Sequence, residues 1–406
     1  MVTTKTKRRI GVALGAIAMA SFGFLSNVMA RNLASNVVIA AQQATEMGVD
    51  ERSAQGYLAD VRRQITLTST VPANGDLNPY AIVVAPTSAG KIHKGDVLVT
   101  NFNNKGNLQG VGTTIILYRP STKKMTVFSD LPQRLKQCPG GVGLGTAMTM
   151  LKSGWVIVGS TPSTDGTTKT KGAGCLLVLN AEGKLVDTWT APDINDPWGD
   201  MAVVDKGSNA TLFISMAGFD VPGPDVIDPK TKEPVVVDKA TVLRLSLTIP
   251  TGKPPVIKQR TVVASGFGQR ADKDVFLVGP TGLALGPNDT LYVSDALGNR
   301  IVAVPQALTR MDSAGTGKTV TKDGYLKRPL AMTLTADSHL LVTNALNGQV
   351  VEIDPKSGKQ LGARWIDKDQ AQSPPGSGDL FGIAMGPGGG FYYVKDDVNT
   401  LAEAMK

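Results

Sequence analysis

The 406-residue sequence predicts an all-β chain, a six-bladed β-propeller whose ring is closed by a strand from its own N-terminal part. Three observations carry that reading. A unit of three short apolar runs separated by turns recurs six times between Asn78 and Leu401, on average every 54 residues. The runs are strand-length, rich in β-branched and aromatic residues, and bounded by Gly, Pro, Asn and Asp, which marks sheet units and not helices. The last unit lacks an outer strand, while residues 64–70, with Ile65 and Leu67 on one face, alternate with period two just ahead of the first unit.

Taken in order, residues 1–30 hold Lys5, Lys7, Arg8 and Arg9, then an apolar stretch from Ile10 to Leu25, then small residues ending at Ala30. That succession predicts a secretory signal peptide cleaved after Ala30. The alternative is an uncleaved anchor, since the stretch is near the shortest length that spans a bilayer. Export would place the mature protein in the periplasm or outside the cell, with no stable membrane insertion after cleavage. Removing the signal lowers the net charge from +8 to +4. No Lys/Arg run interleaved with aromatics appears, which argues against a nucleic-acid partner.

Residues 31–63 form an N-terminal extension. Within it Val49, Tyr57, Leu58 and Val61 fall near helical spacing after Asp50 and predict a short packed helix, with a disordered segment as the alternative. The propeller takes residues 64–406.

The most legible unit runs from Gly279 to Pro305. Its runs are Leu283-Ala284-Leu285, Leu291-Tyr292-Val293 and Ile301-Val302-Ala303-Val304, and the second ends in Ser294-Asp295. The same order recurs around Ile82, Val99 and Ile116, around Met148, Ile157 and Val178, and around Ala202, Phe213 and Leu243. Two further copies follow, around Met332, Val342 and Val351 and around Ile383, Tyr393 and Leu401. Small sheets arranged radially bury one another, so inner strands read as nearly continuous apolar runs.

The unit at 279–305 resembles the NHL repeat through Pro280, Gly282, Leu283, Ala284, Val293, Ser294, Asp295, Asn299, Arg300 and Ile301. The resemblance implies a six-bladed propeller of the NHL or gluconolactonase-like type. Gluconolactonase-like propellers hold a metal with Glu, Asn and Asp near the channel mouth, and no Glu stands beside Asn78, Pro79 and Tyr80 here.

Loop lengths pick out one face. In each blade the connection before strand one and the connection between strands two and three share a side. The second kind is long in blades one to three (102–112, 161–174 and 217–239) and short in blades four to six. Long loops on a rigid scaffold commonly carry binding. Cys138 and Cys175, the only two cysteines, fall on that face, and export favours a disulfide between them.

The second strands end in Asn101, Ser160, Met216, Asp295, Asn344 and Asp396, near the mouth of the channel. Together with Trp198 and Asp200 they are the candidate binding positions. Asp200, Asp295, Asn101, Asn344 and Asp396 are oxygen donors suited to Ca²⁺ or another divalent metal. Equally, Asp295 and Asn344 suit the capping of their own turns.

His93 and His339 are the only histidines, and both fall in turns on the opposite face, where solvation is expected. That placement argues against an imidazole-based triad or a His-ligated zinc site. Two functions follow. One is an exported non-catalytic module that binds a protein or small ligand through the long loops. The alternative is a metal-dependent hydrolase of lactones or related esters.

Overall fold

The computed structural model describes residues 56–406. The expected signal peptide, and most of the extension including Val49, lie outside the described residues. Six antiparallel sheets succeed one another along the chain, five with four strands and one with five. Blade one comprises Leu77–Val84, Val97–Asn103, Thr114–Arg119 and Lys124–Asp130, and blade two Leu144–Met150, Val156–Ser160, Cys175–Leu179 and Leu185–Trp189. Blade three comprises Pro197–Asp205, Asn209–Met216, Val237–Thr248 and the 17-residue Val256–Asp272, with Phe276–Val278 added to its end.

Blade four has Pro280–Leu285, Leu291–Asp295, Arg300–Val304 and Lys318–Lys322, and blade five has Pro329–Leu334, Leu340–Asn344, Gln349–Asp354 and Lys359–Trp365. Blade six takes Leu380–Met385, Phe391–Lys395 and Thr400–Met405 from the C-terminal end, and Arg63–Ser69 as its outer strand. In that closure Ile65 lies opposite Glu403, and Thr68 opposite Leu401. The ring is fastened by its two ends, as the missing outer strand predicts.

Two recurrent residues of the repeat hold neighbouring blades together. A Cβ on Gly199, Gly282 or Gly382 would come within 2.0–2.3 Å of a carbonyl oxygen, those of Thr281, Leu330 and Tyr80 in turn. Only glycine admits that approach between inner strands. The hydroxyl near the end of strand two then donates to an inner-strand carbonyl of the next blade. Thr100 reaches Gly145 O at 2.9 Å, Ser215 Thr281 O at 3.3 Å, Ser294 Leu330 O at 2.6 Å and Thr343 Phe381 O at 3.0 Å. Between these contacts the apolar side chains of adjacent sheets form separate buried clusters.

In place of the expected helix, the extension ends in a single 3₁₀ turn at Leu58–Asp60. A buried carboxylate anchors it: Glu352 accepts from Tyr57 N at 3.0 Å, Leu58 N at 2.8 Å and His339 Nδ1 at 2.7 Å. His339 is therefore a partner in this anchor and not a freely solvated side chain.

Candidate functional site

The inner strands start on the long-loop face, and there the channel is closed by aromatic rings. Tyr80, Trp198 and Phe381 head the inner strands of blades one, three and six, and Phe102 adds its ring from blade one. Tyr80 stacks on Phe381 at 3.9 Å and on Phe102 at 4.7 Å between centroids. The fifth ring comes from the hairpin that blade three adds. Phe276, held at φ 67°, meets Phe102 at 5.5 Å and Trp198 at 6.2 Å. Arg270 and Arg328 fix the base of this hairpin, to Glu233 at 2.6 Å and to Asp272 at 3.4 Å. Stacked and edge-on rings of this kind form a close-packed plug. Burial, with Asp396 and Asp272 nearby, pushes the Tyr80 phenol well above its usual range.

The candidate ligands around this mouth are engaged separately. Asn101 Nδ2 donates to Thr70 O at 2.9 Å and thereby ties blade one to the closing strand. Ser160 accepts from Gly143 N and donates to Gly141 O, both at 3.0 Å, and Met216 is buried in an apolar cluster. Asp295 accepts from Gly298 N at 3.0 Å and Arg300 Nε at 2.8 Å, while Asn344 accepts from Lys327 N and donates to Tyr325 O, both at 2.9 Å. These are turn caps.

Asp396 lies among other carboxylates, and burial, with Asp379 and Asp397 beside it, raises its carboxyl well above normal. A resident cation of the kind the fold implies does not fit this ring: Asp295 and Asn344 spend oxygens on Gly298 N, Arg300 Nε and Lys327 N, and Asn101 Oδ1, buried without a hydrogen-bond partner among the described residues, falls far short alone of the roughly six to eight oxygens that calcium takes. No step is derived through such an ion.

Asp200 is placed differently. The inner strands run away from the plug, and their later residues line a channel cavity of about 250 Å³. Ile82, Leu283 and Ile383 give it apolar walls, Thr149 and Thr333 also line it, and among the described residues Asp200 is the only ionisable one there. Protein surrounds the carboxyl except where it meets the cavity. Among the described residues its one hydrogen bond comes from Met332 N to Oδ2 at 3.1 Å. Burial pushes the carboxyl up to about 7, against the small opposing effect of that bond. A carboxyl raised in this way titrates nearer neutral pH than an ordinary one, the range that suits a general base.

The long loops pack on one another. Ser163 N donates to Gly110 O at 2.9 Å, Thr168 Oγ1 to Pro222 O at 2.9 Å, and Gln109 Nε2 to Lys273 O at 3.0 Å. The disulfide Cys138–Cys175 fixes the blade-two loop at its base. Nearby, Lys171 Nζ lies 2.9 Å from the buried Asp196 Oδ2.

No family model and no curated protein matches the chain. Among solved structures, a gluconolactonase from Xanthomonas campestris is similar at 14% identity with a TM-score of 0.53, covering 86% of this chain and 92% of its own. A calcium-binding protein, regucalcin, from Agrobacterium tumefaciens is similar at 13% identity with a TM-score of 0.49, covering 85% and 93%. The expected non-catalytic binding module is corrected by these findings. The long loops through which it would bind are engaged with each other, while the cavity that holds an ionisable residue lies in the channel. At these identities the likeness concerns architecture: the chain has the six-bladed β-propeller fold of gluconolactonase-like proteins.

Proposed function

We propose that the protein is a hydrolase of small lactones or related esters, with Asp200 as the group that moves the proton. The observation that carries this reading is the solitary Asp200 carboxyl in the channel cavity, raised to about 7. Ionised Asp200 takes a proton from water as the water oxygen bonds to the acyl carbon. When the ring C–O bond breaks, the departing alkoxide takes that proton back, so a hydroxy acid leaves and the carboxylate is restored. The volume of about 250 Å³ is below the ~300–1,000 Å³ typical of sites for drug-sized ligands and suits a single small ring. Disulfide formation supports export to an oxidising compartment. Among the described residues no helix is long and apolar enough to cross a membrane.

The test is a panel of γ- and δ-lactones and activated esters assayed by proton release. Wild type should hydrolyse at least one, and Asp200→Asn should lower kcat/KM by about 100-fold or more, the usual scale of a general-base contribution. An inert wild type, or an Asn variant with wild-type rates, would refute the assignment.

A further inference from the structure

A second group of carboxylates lies outside the channel, where blade five meets blade six. Asp367 follows the outer strand of blade five, Asp379 precedes the inner strand of blade six, and Asp397 lies in that blade's hairpin on the same face. One carboxylate oxygen from each lies within 4.8 Å of the others. Asp367 and Asp379 are 1% and 3% exposed, while Asp397 opens to solvent.

Their partners fall short of their charge. Lys395 Nζ stands 3.0 Å from Asp367 Oδ2, and Asp367 Oδ1 accepts from Asp369 N at 3.0 Å. Asp379 Oδ1 accepts from Gln372 Nε2 at 3.2 Å, but its Oδ2 is enclosed and has no hydrogen-bond partner among the described residues. A buried carboxylate oxygen without a donor is costly, and neighbouring like charges add to that cost. A cation at this point would relieve both. Three carboxylates from three segments, one of them open to water, are the hard oxygen donors of a calcium site and lack the sulfur or imidazole that softer metals favour.

We propose that Asp367, Asp379 and Asp397 bind one Ca²⁺ ion that clasps blade five to blade six. Each ligand comes from a different segment, so the ion links the two blades beside the seam where the chain ends meet. The inference is independent of the reaction proposed for Asp200, which lies in the channel and contributes nothing to this group.

The experiment is calorimetric titration of Ca²⁺ into the chelator-treated full-length protein, paired with Tb³⁺ luminescence excited through aromatic residues, Trp365 being two positions from Asp367. We expect one ion per chain with a Kd between about 10⁻⁵ and 10⁻³ M, the span from weak sensors to extracellular calcium modules. Melting temperature should rise with added Ca²⁺ by mass action. In Asp379→Asn/Asp397→Asn the binding heat, the Tb³⁺ signal and the thermal shift should vanish, while the melting temperature without calcium stays equal or rises as repulsion is relieved. Absence of binding by wild type in that range, or unchanged binding by the double variant, would overturn the site.

Discussion

Asp200 gives the residue-scale account a signature apart from turnover. Its carboxyl is raised from 3.8 in the ordinary state to about 7 in the folded chain. The folded state therefore holds its proton more tightly, and this contribution to stability is complete below about pH 4 and lost as pH rises through about 7. Asp200→Asn, which keeps an acceptor for Met332 N, should melt like wild type at about pH 4 and above it at about pH 8, by roughly 1–3 kcal/mol. Equal melting at both pH values would contradict the burial assigned to Asp200. Sequence placed Asp200 on an inner strand but could not say which oxygens remained free. Asn101, Asp295 and Asn344 occupy the same repeat position, yet only their contacts reveal that Asp295 caps its own turn, Asn344 holds the connection ahead of its blade and Asn101 reaches the closing strand. Tyr80, Trp198 and Phe381 share one position at the head of inner strands, so their convergence was legible by superposing the repeats. Phe276 was not, because it belongs to no repeat.

At the scale of elements, the Ser or Thr near the end of strand two joins blades through a buried hydrogen bond. Thr343 Oγ1 donates to Phe381 O at 3.0 Å and is fully buried. Thr343→Val keeps the shape and leaves that carbonyl without its donor, so it should cost about 1–3 kcal/mol in denaturant unfolding. No change in midpoint would show that the hydroxyl is dispensable. This element was written in the sequence as Ser294-Asp295 and Thr343-Asn344, where the Asp or Asn drew attention and the hydroxyl before it carries the inter-blade contact. The hairpin at 270–278 was not legible. Its strand of 17 residues continues an edge strand past the end of its sheet, and an edge position leaves a weaker apolar pattern than an inner strand.

For the whole molecule, closure depends on the outer strand of the last blade coming from the other end of the chain. Deleting residues through Ser69 removes every pairing partner of Thr400–Met405 on that side, from Arg63 opposite Met405 to Ser69 opposite Thr400. The truncated chain should lose cooperative unfolding, whereas deletion ending before Tyr57 should retain it, and a cooperative melt after the longer deletion would contradict the closed ring. Six repeats and an unmatched outer strand made this architecture legible from sequence alone. The place of the channel cavity was not, because loop length pointed to the face where aromatic rings close the channel.

The most direct measurement is the pH dependence of lactone hydrolysis from about pH 5 to about pH 9 for wild type and Asp200→Asn. The account predicts that wild-type kcat/KM rises with pH and levels off above an inflection near 7, where Asp200 ionises, and that the Asn variant is slow with no such inflection. An inflection that survives in Asp200→Asn would place the proton-transferring group elsewhere.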